Sequence, residues 1–404
     1  MYSLDFFLTE QKQNPTRDIV VGNDAGDADS IISAICLAFL EGKTPIVSVT
    51  RDTFVYERPE VESLLELAGI SNASTKLLFI EDLELILQDS NSTVDGVRRL
   101  TLVDHNTIND NLHKFRHMLE VVEIVDHHTD EEQYLETCSG KQRNIAFHNG
   151  SALVASTTTL VAEMLLKRTN SPPPSLSTLL LGVILLDSVN LDESVGKVTF
   201  RDRDAVSRIL SQTDWSNSAL RAYLIPINDM KELTIDTNEF FSQLERAKYS
   251  PAFWQELPVE RALNYDYKSF LYDRKNVEQR FGISTILMSG FKFMEKENSL
   301  LKTAEFMRWK KVSFLGIMFT FYDATTGDFR RQLAFCSDED QWLEMLRDGL
   351  LSSKVYTELD LKEVNSTPQQ MSGDAIQMHL FEQNKIGPSR KQIGPLLIEF
   401  FQVE

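Results

Sequence analysis

Cysteine is scarce in this chain: three residues in 404, Cys36, Cys138 and Cys336, an odd number with no metal-ligand spacing. That argues against a disulfide framework and leaves structural thiols in a reducing compartment. Long apolar runs are missing too, since no stretch approaches the roughly 18 residues of a membrane-crossing helix. Met1-Tyr2-Ser3-Leu4-Asp5-Phe6-Phe7 lacks the basic region, apolar stretch and small-residue cleavage pattern of a signal peptide. The expectation is a cytoplasmic protein without a membrane partner. Positive charge is also in deficit, with 41 Lys and Arg against 60 Asp and Glu and a net charge of -19. Such a surface is not made for nucleic acid or anionic lipid. An anionic substrate is not excluded, because bound metal ions and a local basic patch reverse the potential inside a cleft. No internal repeat or low-complexity segment stands out.

What is present is an ordinary globular composition, 42% hydrophobic and 25% charged, long enough for two domains with real cores. The most informative stretch is Glu123-Ile124-Val125-Asp126-His127-His128, a β-branched apolar run ending in one carboxylate and two adjacent imidazoles. Three others share the design: Ile19-Val20-Val21-Gly22-Asn23 leading to Asp27 and Asp29, Leu100-Thr101-Leu102-Val103-Asp104-His105-Asn106, and Leu179 to Asp187. Buried parallel strands read as short continuous apolar runs, and ligands of open α/β sheets gather beyond the carboxyl ends of those strands. Four segments thus each deliver carboxylate or imidazole to one edge of one sheet. Carboxylates brought together without cations repel and shift each other's pKa, so their convergence with histidine points to divalent metal ions.

Along the chain, strands are expected at Asp18 to Gly22, Pro45 to Val49, Lys76 to Ile80, Arg99 to Val103 and Val121 to Val125. Helices alternate with them at Asp29 to Leu40, where Asp29 and Ser30 are placed to cap, at Glu60 to Ala68, closed by Gly69, and at Leu83 to Leu87. This rhythm predicts an α/β fold, a mostly parallel sheet with helices on both faces. A helix follows at Ser156 to Arg168, then a rigid turn at Pro172-Pro173-Pro174, then the apolar run Leu176 to Leu186, helix or strand by periodicity alone. Tyr249-Ser250-Pro251 and Pro258 interrupt the pattern and place a junction there, giving domains 1–248 and 249–404. The second is expected to be a smaller α+β domain. Its strands fall near Tyr267 to Phe270, Phe281 to Leu287 and Val312 to Tyr322, and its final helix, Leu396 to Phe401, follows Ser389-Arg390-Lys391-Gln392-Ile393-Gly394-Pro395.

Taken singly, each motif has a plain structural explanation. Asp27 and Asp29 could be a loop residue and a helix cap, Asp104-His105-Asn106 a polar strand end, and Lys268, Arg390 and Lys391 surface charge. Paired histidines at a strand end are rarely needed for packing, and Asp187 is costly to bury unless paired or metal-bound. The four segments together are far less expected by chance than any one.

Asp27-Ala28-Asp29-Ser30, Val103-Asp104-His105-Asn106, Asp126-His127-His128 and Gly182-Val183-Ile184-Leu185-Leu186-Asp187 resemble the four motifs of the DHH phosphoesterases. Asp266-Tyr267-Lys268-Ser269-Phe270 and Ser389-Arg390-Lys391 with Pro395 resemble the associated C-terminal domain, DHHA2. That pairing, over nearly the whole chain, is shared by family II inorganic pyrophosphatases, prune-type phosphatases and fungal cytosolic exopolyphosphatases. Length and Asn23 favour the last group, because the pyrophosphatases carry a metal-binding histidine where Asn23 stands. Ala155-Ser156 departs as well, many relatives having glycine before the serine.

The resemblance implies that Asp29, Asp104, His127 and Asp187 hold one metal and Asp27, Asp104 and Asp187 the other, with Asp104 and Asp187 bridging. Asp126 would orient an imidazole from behind, and Asn23 would leave one site weaker or differently occupied. Two Mg²⁺ or Mn²⁺ ions per active site, with Co²⁺ as a further option, would suit the donors. His128 would bind the scissile phosphate or protonate the leaving oxygen. Lys268, Arg390 and Lys391 would close over an inorganic polyphosphate chain from the opposite side. The implied activity is an exopolyphosphatase, compatible with a monomer. The alternatives are a family II-like inorganic pyrophosphatase, a prune-like hydrolase of short polyphosphates or nucleotides, and, in another class, a catalytically silent polyphosphate-binding protein.

Overall fold

Ile19 and Val21 of the first strand point to one side of a sheet and Val20 to the other, and all three are fully buried. In the computed structural model, which describes residues 3–88, 97–226, 233–274, 277–337, 353–364 and 376–403, the chain forms two units, residues 1–248 and 249–404. In the first unit, six parallel strands, β1 (Asp18–Val21), β2 (Thr44–Val47), β3 (Leu78–Phe79), β4 (Arg98–Val103), β5 (Leu119–Asp126) and β6 (Arg143–Ile145), lie in the order β3-β2-β1-β4-β5-β6. Both faces are covered, as the apolar runs require. The order makes β1 and β4 neighbours across the point where the chain switches direction along the sheet, the usual place for a ligand in such folds.

The helix Ala28–Glu41 is buried over most of its length and packs on the sheet and on the helices Thr157–Arg168 and Pro174–Asp187. Gly22, at the end of β1, is what allows its start to come so close. A Cβ there would lie 1.9 Å from Ser30 Oγ and 2.9 Å from the Ser30 carbonyl. The helix Pro174–Asp187 is surrounded by helices Ala28–Glu41, Pro59–Leu67, Thr157–Arg168, Phe200–Gln212 and Thr237–Lys248. Ten consecutive residues, Leu176 to Leu185, are buried, as expected of a helix that is apolar all round.

The second unit is built on a mixed sheet of β7 (Tyr267–Arg274), β8 (Val277–Ile286), β9 (Phe314–Tyr322), β10 (Phe329–Ser337), β11 (Leu361–Glu363) and β12 (Gln377–Gln383). Their order is β7-β8-β9-β10-β12-β11, with β8 and β9 parallel and the other pairs antiparallel. Separate apolar clusters lie on its two faces, one including Phe306 and Met307 of the Ser299–Lys310 helix, the other Ile393, Leu397, Phe400 and Phe401 of the C-terminal helix. Among the described residues no helix is long and apolar enough to cross a membrane.

One open reading is settled and two local expectations are corrected. Asp187 ends a helix, not a strand: fourteen residues without two-fold alternation fill a space enclosed by other helices. Asp27, not Asp29 or Ser30, caps the helix Ala28–Glu41, accepting from the Ser30 N–H at 3.0 Å, while Asp29 lies in its first turn. The final helix begins at Arg390, before Pro395. Its buried stripe starts at Ile393, and the proline forfeits only the bond to the Lys391 carbonyl.

Gly22→Ala should force the helix Ala28–Glu41 off the strand end and cost about 1–3 kcal/mol of stability. Denaturant unfolding that places this variant level with wild type would overturn the close approach as the reason for glycine.

Candidate metal centre

Three adjacent strands end at this site, and each hands over to a tightly held loop. After β1, Asn23 Oδ1 accepts from the N–H groups of Ala25 and Gly26 at 2.9 and 3.2 Å, and the buried Arg58 donates to the Gly26 carbonyl at 2.6 Å. Gly26 has φ +54, and a Cβ on it would meet Val49 at 2.4 Å. After β4, Asp104 adopts φ +62, a left-handed conformation uncommon outside glycine and asparagine. After β5, Asp126, His127 and His128 follow without a break.

Asp29 is 4% exposed, yet its carboxylate is well supplied with donors. It accepts from the Thr157 N–H at 2.7 Å, the Thr158 N–H at 2.8 Å and Ser156 Oγ at 2.7 Å, all at the start of the helix Thr157–Arg168. The unpaired N–H groups and dipole of a helix N-terminus favour an anion there. Asp104 receives Asn23 Nδ2 at 2.6 Å and Thr157 Oγ1 at 3.1 Å. His127 Nε2 lies 3.5 Å from Asp104 Oδ1 and 3.8 Å from Asp29 Oδ2, and its Nδ1 is 3.1 Å from the Val154 carbonyl. His128 Nδ1 lies 2.8 Å from Asp126 Oδ1 and 3.7 Å from Asp104 Oδ1. Asp126, fully buried, also accepts from Asn106 Nδ2 at 2.6 Å and the His127 N–H at 2.8 Å.

The electrostatics follow from this geometry. Burial pushes the Asp104 carboxyl well above its ordinary range, and the Asp29 and Asp27 charges push the same way against the pull of His127. Burial and then Asp29 and Asp27 likewise raise Asp187 to about 7, only partly offset by Lys248 and Lys197. Burial alone would depress His127, but Asp104, Asp29 and the Val154 carbonyl outweigh it and carry it to about 10. Burial would raise Asp126, but His128, Asn106 and the His127 N–H outweigh it and hold the carboxyl near about 2.

A divalent cation fits this donor set. With Nδ1 donating to the Val154 carbonyl, His127 turns Nε2 toward Asp104 and Asp29, so that a cation displacing the Nε2 proton would find an imidazole oriented from behind. Ligand atoms of Asp104, His127 and His128 lie within 4.8 Å of one another. Asp29 joins this group through His127, while Asp27 and Asp187 share its field. Asn23 does not present its oxygen, which is spent on backbone N–H groups, and its amide nitrogen faces Asp104.

Lys268, Arg390 and Lys391 belong to the second unit. Lys268 is exposed on β7, and Arg390 Nη1 is bound to Asp266, 2.6 Å from its carbonyl and 2.7 Å from Oδ1. Lys391 lies in the first turn of the C-terminal helix, and its side chain is outside the described residues. Of the residues that hold Asp29 and Asp126 in place, Thr157 and Thr158 were not singled out from sequence, and Ser156 and Asn106 stood there only as neighbours of other motif residues. The hydroxyl run at 156–159 was its one visible signal, and it reads equally as a plain helix start. Asp24 was missed as well: burial raises it to about 6, and one of its oxygens accepts from the Asp110 N–H at 3.0 Å.

Residues 18–186 match the model of the DHH family, N-terminal domain, and residues 242–400 that of the DHHA2 domain. Exopolyphosphatase PRUNE1 of Rattus norvegicus is 27% identical over 411 residues, covering 98% of this chain and 78% of its own. Its Bos taurus counterpart is 29% identical over 391 residues, covering 94% and 75%. Among solved structures, a Methanococcus jannaschii protein assigned to family II of the inorganic pyrophosphatases superposes with a TM-score of 0.55 at 19% identity, over 95% of this chain and 99% of that one. That similarity shows a common fold.

In metal-free protein, the native state holds more protons than the unfolded chain on Asp187 between about pH 4 and 7 and on His127 between about 6.5 and 10. Both raised values have the same sign: stability is greatest below each window and is lost as pH rises through it. Melting temperature should therefore fall from pH 5 to pH 9 in chelator, and Mn²⁺ should reverse the fall. Binding at pH 7.5 should release protons, read as a dependence of calorimetric heat on the buffer's ionisation enthalpy. Heat independent of buffer would contradict the protonated apo site.

Proposed function

Because this chain belongs to the DHH phosphoesterase superfamily and carries a DHHA2 domain, we propose that it is an exopolyphosphatase, a metal-dependent hydrolase that removes terminal orthophosphate from inorganic polyphosphate. The observation that carries the reading is the pair of adjacent imidazoles tied from behind to different acceptors: His127 to a carbonyl, facing Asp29 and Asp104, and His128 to Asp126. The names of the mammalian relatives, which align along nearly the whole chain, support the same activity. The assignment to the fungal group rests on length and Asn23.

In this proposal Asp29, Asp104, His127 and Asp187 hold one divalent cation and Asp27, Asp104 and Asp187 a second, Mg²⁺ or Mn²⁺ by donor chemistry, with Co²⁺ also suited. Such cations supply an activated water and neutralise charge on the attacked phosphate. His128 is half-buried. Its Nδ1 proton is held by an ionised Asp126, which fixes the ring's orientation and leaves Nε2 for the substrate. From there the ring donates to a phosphate oxygen or to the leaving oxygen. Asn106 and the His127 N–H keep Asp126 ionised and in place. Lys268, Arg390 and Lys391 of the second unit are assigned to substrate phosphates, for which a phosphate would compete with Asp266 for the Arg390 guanidinium.

Phosphate release from polyphosphates of defined length, pyrophosphate and nucleotides, with and without chelator, tests the assignment. Preference for longer polyphosphate is expected, and strong preference for pyrophosphate would overturn it. Asp104→Ala should lower kcat on the order of 10³-fold with circular dichroism unchanged. Full activity in that variant would dismiss the site, and a folded wild type inactive on every substrate would favour a silent binding protein.

Asn23→His would replace the amide that bonds Asp104 with an imidazole able to ligate a cation. Divalent affinity should tighten by about tenfold and preference should move toward pyrophosphate. Unchanged affinity in a metal titration would remove Asn23 as the cause of a weaker site.

A further inference from the structure

Asp202, on the helix Phe200–Gln212, is fully buried and collects more hydrogen bonds than its helix needs. Two come from Thr199, whose N–H and Oγ1 each lie 2.8 Å from Oδ2, and these complete the cap. The others come from elsewhere: Thr159 Oγ1 donates to Oδ1 at 2.7 Å, and the Ala155 N–H reaches both carboxylate oxygens at 3.0 and 3.1 Å. A buried carboxylate is costly unless donors surround it. A hydroxyl would have sufficed as a cap.

Ala155 lies between two residues that touch the metal centre. The carbonyl of Val154, before it, is the acceptor for His127 Nδ1, and Ser156, after it, begins the turn whose hydroxyl and N–H groups bind Asp29. One carboxylate therefore fixes the short segment that orients both an imidazole and a carboxylate of the candidate centre. We propose that Asp202 is a positioning residue for cation binding, acting through Val154 and Ser156 on His127 and Asp29. The proposal rests on the metal-centre reading above. If Asp202 only tied two helices together, the pair Arg201 and Glu163 would be its equivalent, since their two contacts at 2.6 and 2.7 Å join the same helices without touching the 154–156 segment.

The test is calorimetric Mn²⁺ titration of the full chain, with ¹⁵N spectra of the metal-free protein reporting the His127 Nδ1 proton. Asp202→Asn turns an amide N–H toward existing donors and should weaken Mn²⁺ binding about tenfold and alter the His127 signal. Thr159→Val, which removes a single donor, should shift both readouts the same way by a smaller factor, and decides the matter if Asp202→Asn does not fold. Glu163→Gln should lower the melting temperature yet leave affinity within about twofold, as a distant site does. Unchanged affinity in the folded Asp202 and Thr159 variants would overturn the proposal, as would equal weakening in Glu163→Gln. A folded wild type that binds no divalent cation would instead overturn the metal-centre reading itself.

Discussion

Gathering negative charge away from water is the constraint on which the first unit depends. Its carboxylates meet that constraint to different degrees. Asp29 is answered by a helix N-terminus and a hydroxyl, and Asp126 by an amide, a backbone N–H and an imidazole. Asp104 has one amide, one hydroxyl and an imidazole that it shares, and Asp187, among the described residues, has only the field of two lysines against that of two acids. The protein thus neutralises some of its own charge and leaves the rest less fully compensated, a division that pKa shifts at functional sites commonly express.

The two adjacent histidines show how small backbone differences assign different work. Both rings are tethered through Nδ1, one to an uncharged carbonyl and the other to an ionised carboxylate. A carbonyl tether can only accept, so it fixes the His127 Nδ1 proton and turns Nε2 toward Asp104 and Asp29, whereas the carboxylate tether holds the His128 ring to Asp126. Their rings stand nearly perpendicular, centroids 4.6 Å apart.

Much of the fold was legible because its strands are short apolar runs that end at polar residues. β1, β4 and β5 are read within two residues of their ends, and the parallel sheet with two covered faces follows from their alternation with helices. The apolar run before Asp187 was ambiguous for a physical reason: when every side of an element is enclosed, neither the period of a helix nor that of a strand is written in its hydrophobicity. Pro395 misled in the opposite way, since one residue hostile to helices outweighed a stripe already begun at Ile393. At the site, the charged and imidazole side chains announce themselves as residue types. The donors that hold them, Ser156, Thr157 and Asn106, and the acceptor Asp202 behind Ala155 are common residues whose meaning comes from distant partners.

The helix that ends in Asp187 has a longer consequence. A half-buried carboxylate at the negative end of an aligned stack of peptide dipoles opposes the very element that delivers it. Nothing in the packing of Leu176 to Leu185 asks for an acid there. In a lineage that had stopped handling cations, replacement by an uncharged residue would be rewarded with a sturdier protein.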